Sequence, residues 1–231
     1  MLVDIFSSFD DHNSTLLSMY ISIWLCSFFV LFTASCFLFV DLGRWSYLIN
    51  LPSMVSITQV GSSFGKKLGG FSSVISTLFL FLLLFNLSGL IPYVFSNTSH
   101  LAVTLSLGLP IWMSLIISSV FRSPRKTAAG LLPESAPAVL SPFLVLVETV
   151  SLSVRPITLS VRLAANMSAG HIVLGLLGGY LSSGIFEYSY TSLSVLIIVQ
   201  IGYFMFEVGI SIIQAYIFSL LAVLYSDDHA S

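Results

Sequence analysis

Between Ser141 and Ser183 an apolar stretch carries Glu148, Arg155, Arg162, Asn166 and His171. It is about twice as long as a bilayer crossing requires. At about 100° per residue, Glu148, Arg155, Arg162 and Asn166 fall within roughly 40° of one another around a helix. They form a stripe rather than a scatter. A second stripe follows downstream, where Gln200, Glu207 and Gln214 recur seven apart and Tyr203 and Ser211 extend their face. Ionised groups in hydrocarbon are costly, so intramembrane charges point first to ion handling. Carboxyl and imidazole groups exchange protons near neutral pH when their surroundings tune them, whereas arginine stays charged and can only hold or repel. In chain order this gives a proton route. His171 and Glu207 form a titrating pair towards one face, Arg162 sits in the middle, and Glu148 lies about 21 Å further along the helix towards the other face. Arg155, nearer a helix end, either joins the route or snorkels to the interface. Taken singly, Asn166, Gln200 and Ser211 also fit the bland role of hydrogen-bonding groups that glue helices together.

The elements that must carry these residues are helices. The chain has 231 residues, of which 56% are hydrophobic and only 8% charged, against about 25% charged in an ordinary soluble domain. So few charges could not coat a water-soluble globule. The apolar runs are long and continuous, which excludes the short alternating segments of an outer-membrane barrel. The fold class is therefore an all-α membrane protein in one integral membrane domain, residues 1–231. It has about five transmembrane segments, the last two forming a long, steeply tilted helical hairpin. Crossings are expected at 16–40, 71–92 and 101–120, with long tilted helices at 139–183 and 189–225. Pro110 and Pro156 are expected to bend their helices, and the 139–183 segment either tilts or breaks. Residues 52–70, too polar to span, read as a short interfacial helix or a connecting loop. Residues 121–137, with Arg122, Arg125, Lys126, Glu134 and three prolines, read as an aqueous loop.

Charge placement orients the chain. The first and third loops hold Arg44, Lys66, Lys67, Arg122, Arg125 and Lys126, while the second loop and the turn around Glu187 hold no lysine or arginine. By the positive-inside rule the N-terminus lies outside and the C-terminus inside. Residues 1–15 carry Asp4, Asp10 and Asp11 but no basic residue, so no cleaved leader is expected. Cys26 and Cys36, about 15 Å apart along one helix, cannot pair with each other. The histidines His12, His100, His171 and His229 are scattered, and no phosphate loop or nucleophile–base pattern occurs. No metal, cofactor or nucleic acid is expected. No internal repeat of the secondary-transporter kind is visible.

Arg162-Leu-Ala-Ala-Asn166-Met-Ser-Ala-Gly170-His171, preceded by Arg155-Pro-Ile-Thr-Leu, resembles subunit a of the F-type ATP synthase in its animal mitochondrial form. Asn86-Leu-Ser-Gly-Leu-Ile-Pro-Tyr, Leu132-Pro-Glu-Ser-Ala-Pro-Ala-Val-Leu-Ser-Pro-Phe-Leu and Phe6-Ser-Ser-Phe-Asp10 are similar too. The resemblance implies a proton-translocating stator subunit of the membrane (Fo) sector, non-catalytic by itself, with two offset half-channels against a rotating c-subunit ring. It implies that Arg162 faces the ring carboxylate and blocks leak, that His171 and Glu207 serve the intermembrane-space half-channel, and that Glu148 is the matrix-side acid. Asn166 and Gln214 match polar partners of the arginine, with Arg155, Gln200, Tyr203 and Ser211 auxiliary. Partners would be the c-ring, other Fo and peripheral-stalk subunits, protons and the lipid bilayer. The location would be the mitochondrial inner membrane, multi-pass, with the N-terminus in the intermembrane space and the C-terminus in the matrix. Ser160 departs from the family's usual glycine. A stand-alone proton-coupled transporter and a structural subunit of a respiratory complex are the alternatives that the residues alone leave open.

Overall fold

A computed structural model describes residues 44–67, 69–91, 96–122, 124–130, 140–184 and 189–230. The first expected crossing, 16–40, with Cys26 and Cys36, lies outside the described residues. Among those described, six helices and two short 3-10 turns make the fold, and no strand occurs. The helices are α1 (Arg44–Gly61), α2 (Phe71–Gly89), α3 (Leu101–Arg122), α4 (Pro124–Gly130), α5 (Ser141–Gly184) and α6 (Tyr190–Ala230). Four of them, α2, α3, α5 and α6, are long and apolar enough to cross a membrane.

Residues 44–61 are helical, not a loop, and the helix runs through Pro52. Ser56 and Val60, one turn apart, are buried, and Val60 joins Ile75, Ala222 and Val223 in a small apolar cluster. Tyr47, Leu51 and Met54 are exposed. The third loop is not wholly irregular either, because Pro124–Gly130 forms a short helix. Proline suits the first position, where its missing N–H is not needed and its φ is already helical. A left-handed Gly70 (φ 82°) starts α2, a conformation that costs glycine no Cβ clash.

α5 does not break. It is one helix of 44 residues through Pro156, about 66 Å long at ~1.5 Å per residue and so about twice the hydrocarbon thickness. Gly170 of α5 meets Glu207 of α6, and Arg155 meets Tyr225. The partners advance in opposite directions along the two helices, so these helices are antiparallel and form the C-terminal hairpin. The main core cluster sits on this seam. Leu159 and Leu163 of α5 pack with Ala215 and Phe218 of α6 and with Phe79 and Leu82 of α2. α3 lies against α5 where Gly108 approaches Pro156 and Ser160. Ser160 is fully buried, and its hydroxyl donates to the Pro156 and Ile157 carbonyls of its own helix at 3.0 and 2.9 Å. This buried serine therefore leaves no donor unmet.

The ends of the bundle differ. A Cβ at Gly65 would overlap the Ser226 hydroxyl, so the turn Phe64–Lys67 seats against the C-terminal end of α6. At the opposite end, the turn Asn97–Ser99 lies by Gly89 and Met167, because Ser96 is the nearest neighbour of a Cβ placed on Gly89 and Met167 is next.

Candidate functional site

The polar residues of α5 and α6 separate into three levels along the hairpin. Nearest the Gly65–Ser226 end, Arg155 Nη2 stands 3.8 Å from Glu148 Oε1, and the guanidinium sits over the Tyr225 ring, 5.3 Å from its centroid. Glu148 and Arg155 are two helical turns apart on one face, which is the spacing that lets a long arginine reach back. Arg155 thus bridges a carboxylate on its own helix and an aromatic ring on the next. It does not simply snorkel away.

At the middle level, Arg162 is exposed on α5 and has no carboxylate partner among the described residues. Its neighbours one turn either side, Thr158 and Ala165, are exposed too. The cation therefore stands on the outward surface of α5. Gln214 lies at the same level on α6, since Leu163 and Ala215, the residues that follow each, share the core cluster. Asn166 and Gln214 are both half-buried.

At the third level, Glu207 is 2% exposed, and a Cβ on Gly170 would overlap its carboxylate. Only a residue without a side chain lets α5 admit that carboxylate so closely. Tyr203, one turn before Glu207, is within interaction reach of it. One carboxylate oxygen, Oε1, has no hydrogen-bond partner among the described residues. His171 follows Gly170 and is half-buried, so its backbone stands level with Glu207. Asn86 of α2 is fully buried one turn away, and its amide donates to the Ser211 carbonyl of α6 at 3.2 Å while its Oδ1 has no partner among the described residues. Gln200 is half-buried further along α6, and the buried Ser211 hydroxyl donates to the Val208 carbonyl of its own helix.

The α5 stripe does not face α6 as a unit, because Arg155 reaches Tyr225 of α6 while Arg162 stays exposed. The sequence also gave no role to Gly170 or Asn86. Asn86 carried a signal, since an amide inside a uniformly apolar run needs a partner. Gly170 carried none, because a helical glycine reads alike whether it touches lipid or a carboxylate. Among the described residues, no group of three histidine, cysteine, aspartate or glutamate side chains could hold a metal.

Four apolar helices of spanning length among the described residues, with ionisable groups arranged in levels along a C-terminal hairpin, define a multi-pass helical membrane protein. Comparison with known proteins gives the family. The family model described as "ATP synthase A chain" matches residues 15–227. The chain is 41% identical to ATP synthase subunit a of Artemia franciscana over 239 residues, covering 99% of this chain and all of that one. It is 37% identical to ATP synthase subunit a of Albinaria caerulea, covering 99% and 100% of the two chains. Against that of Anopheles gambiae the identity is 34%, covering 99% of each. The chain belongs to the ATP synthase subunit a family, a membrane component of that complex.

Proposed function

We propose that this chain is the proton-translocating stator of the Fo sector, non-catalytic by itself. Two offset half-channels meet a c-subunit ring along the exposed side of α5. The observation that carries this reading is Arg162. It is an exposed guanidinium on the outward surface of α5, with no carboxylate partner among the described residues, while the other arginine of α5 is occupied by Glu148 and Tyr225. A bare cation in hydrocarbon is costly, so a carboxylate on a neighbouring subunit is its natural partner. The sparse burial of the hairpin supports a large partner surface: the most apolar windows of α5 and α6 are only 17% and 11% buried.

The mechanism follows from the three levels. Protons reach Glu207 and His171 from the intermembrane space, with Tyr203 and Gln200 as auxiliaries on the same helix. They load a ring carboxylate, travel round with it, and leave past Glu148 towards the matrix. Arg162 stands between the two paths. At about 4 Å and an effective dielectric near 20, it favours the ionised carboxylate by roughly 4 kcal/mol. That weakens the hold on the proton about a thousandfold, so each arriving site discharges and stays ionised while it passes. Asn166, one turn beyond Arg162 on α5, and Gln214, level with it on α6, are the polar neighbours on which the guanidinium draws as the ring passes. Arg155 keeps Glu148 in place, and Ser211 fixes Asn86 through its carbonyl. The same cation stops protons running straight from one path to the other.

The charge at the two ends supports an orientation. Lys66 and the Gly65 turn adjoin the C-terminal end of α6, and Arg122 ends α3 near the level where α5 begins. This end faces the matrix by the positive-inside rule, with the N-terminus in the intermembrane space and the chain multi-pass in the mitochondrial inner membrane. Other Fo and peripheral-stalk subunits cover the remaining apolar faces. The decisive experiment is Arg162→Ala in the assembled complex. Proton-driven ATP synthesis is expected to vanish while ATP hydrolysis by the soluble sector persists. Normal synthesis in that variant would refute the assignment.

A further inference from the structure

The turn that joins α2 to α3 carries buried polar groups for which the mechanism has no use so far. Asn97 and Thr98 are 3% and 1% exposed, and Asn97 Oδ1 and Thr98 Oγ1 find no hydrogen-bond partner among the described residues. The serines on either side of them are satisfied. Ser96 Oγ donates to Ser99 Oγ, Ser99 Oγ donates to the Ser96 carbonyl, and the backbone amides of Ser99 and His100 close the turn. The two unmet oxygens are thus not a consequence of a loosely built loop.

Their position matters more than their number. The turn adjoins α2, α3 and α5, and Ser96 and Met167 both crowd Gly89. Met167 precedes Gly170 by three residues, about 4.5 Å along the helix, and Gly170 is where the Glu207 carboxylate rests. Asn86 Oδ1 and Glu207 Oε1 are likewise buried and unmet among the described residues. Four unmet oxygens from three separate parts of the fold therefore lie towards the same end of the bundle. Buried polar groups in native proteins are almost always satisfied, and ordered water is the usual partner where protein supplies none. An apolar interior that gathers four unmet acceptors is a place for water, and a water chain conducts protons.

We propose that Asn97 and Thr98 line the outer part of the proton path that leads to Glu207, with Asn86 bridging the turn to α6. This rests on the reading of Glu207 as the residue that receives protons from that side. The residues orient water and take no proton themselves, so an isosteric apolar replacement removes their action without emptying space.

The test uses the assembled complex in inner-membrane vesicles, with passive proton conduction through the membrane sector as the readout. Thr98→Val combined with Asn97→Leu is expected to lower conduction roughly tenfold, the rate equivalent of about one hydrogen bond. Thr98→Ser, which restores the hydroxyl, is expected to conduct normally. Asn97→Cys is expected to make conduction sensitive to silver ions added on the intermembrane-space side, whereas Leu82→Cys, in the dry core, is expected to stay insensitive. Unchanged conduction in the double variant, equal losses for Thr98→Ser and Thr98→Val, or silver-inert Asn97→Cys would each overturn the proposal. Glu207→Gln is measured alongside. Full conduction there would sink the underlying reading instead, which separates the two failures.

Discussion

Replacing Gly170 by alanine gives a direct test of how Glu207 is seated. A methyl group at that position would occupy the space now held by the Glu207 carboxylate. The backbone of α5 cannot retreat, because Leu163 and Met167 on the same face are fully buried. The glutamate must therefore leave its preferred rotamer, at about 0.5–1.5 kcal/mol. Alanine meanwhile favours the helix over glycine by about 1 kcal/mol, so overall stability should hardly move. The perturbation is thus confined to the position of one carboxylate. If proton delivery depends on that position, transport falls roughly five- to tenfold, the kinetic counterpart of about 1–1.4 kcal/mol. ATP-driven acidification of inverted vesicles, followed by fluorescence quenching, would measure it. Gly178→Ala is the control, because a Cβ there meets nothing within 4 Å. Glu207→Asp, shorter by one methylene, should partly rescue Gly170→Ala. Undiminished acidification in Gly170→Ala, or an equal fall in Gly178→Ala, would show that the close approach of α5 to the carboxylate has no functional weight.

Other perturbations separate transport from stability. Glu207→Gln keeps the shape of the side chain but cannot ionise, and proton flow should slow throughout pH 6–8, the range about one unit either side of neutrality in which imidazole titrates; a stopped-flow pH indicator in vesicles would record it. Leu163→Ala opens a void in the seam of α2, α5 and α6 and should cost about 2–5 kcal/mol, seen as a lower melting temperature of the purified complex. Tyr225→Leu removes the ring beneath Arg155 and should cost about 0.5–1 kcal/mol, with Tyr225→Phe close to wild type in the same melt. Ser160→Ala should change stability by no more than about 0.5 kcal/mol, since its hydroxyl bonds only carbonyls of its own helix.

How far such features could be seen in the sequence depends on what polarity encodes. Long apolar runs fix the existence of α2, α3, α5 and α6, because a helix is the structure that meets every backbone group inside a bilayer. The seven-residue spacing of Gln200, Glu207 and Gln214 placed them on one face of α6. Orientation was harder. The polar stripe of α5 does not itself say which of its members meet α6 and which are left to lipid or a partner, and Arg155 reaches Tyr225 while Arg162 stays exposed. The pairing of Glu148 with Arg155 was open at the sequence level, because an arginine near a helix end can also reach the headgroups. The start of α1 was hidden by Pro52, which usually marks a boundary yet lies within this helix. Residues 124–130 read as loop because charge and proline dominate them, although proline at a first helical position favours the turn that forms.

The clasp between Gly65 and Ser226, with Val60 and Ile75 against Ala222 and Val223, joins α1 and α2 to the far end of α6. That end of α6 leaves the ribosome after every other described helix, so α1 and α2 must wait in the bilayer without their final neighbour. A premature stop just before Ala222 would leave both long helices nearly whole yet leave α1 and α2 without the surface they close upon. Quality control acting on such truncated products would therefore respond to the unclosed α1 and α2 and not to a missing channel residue.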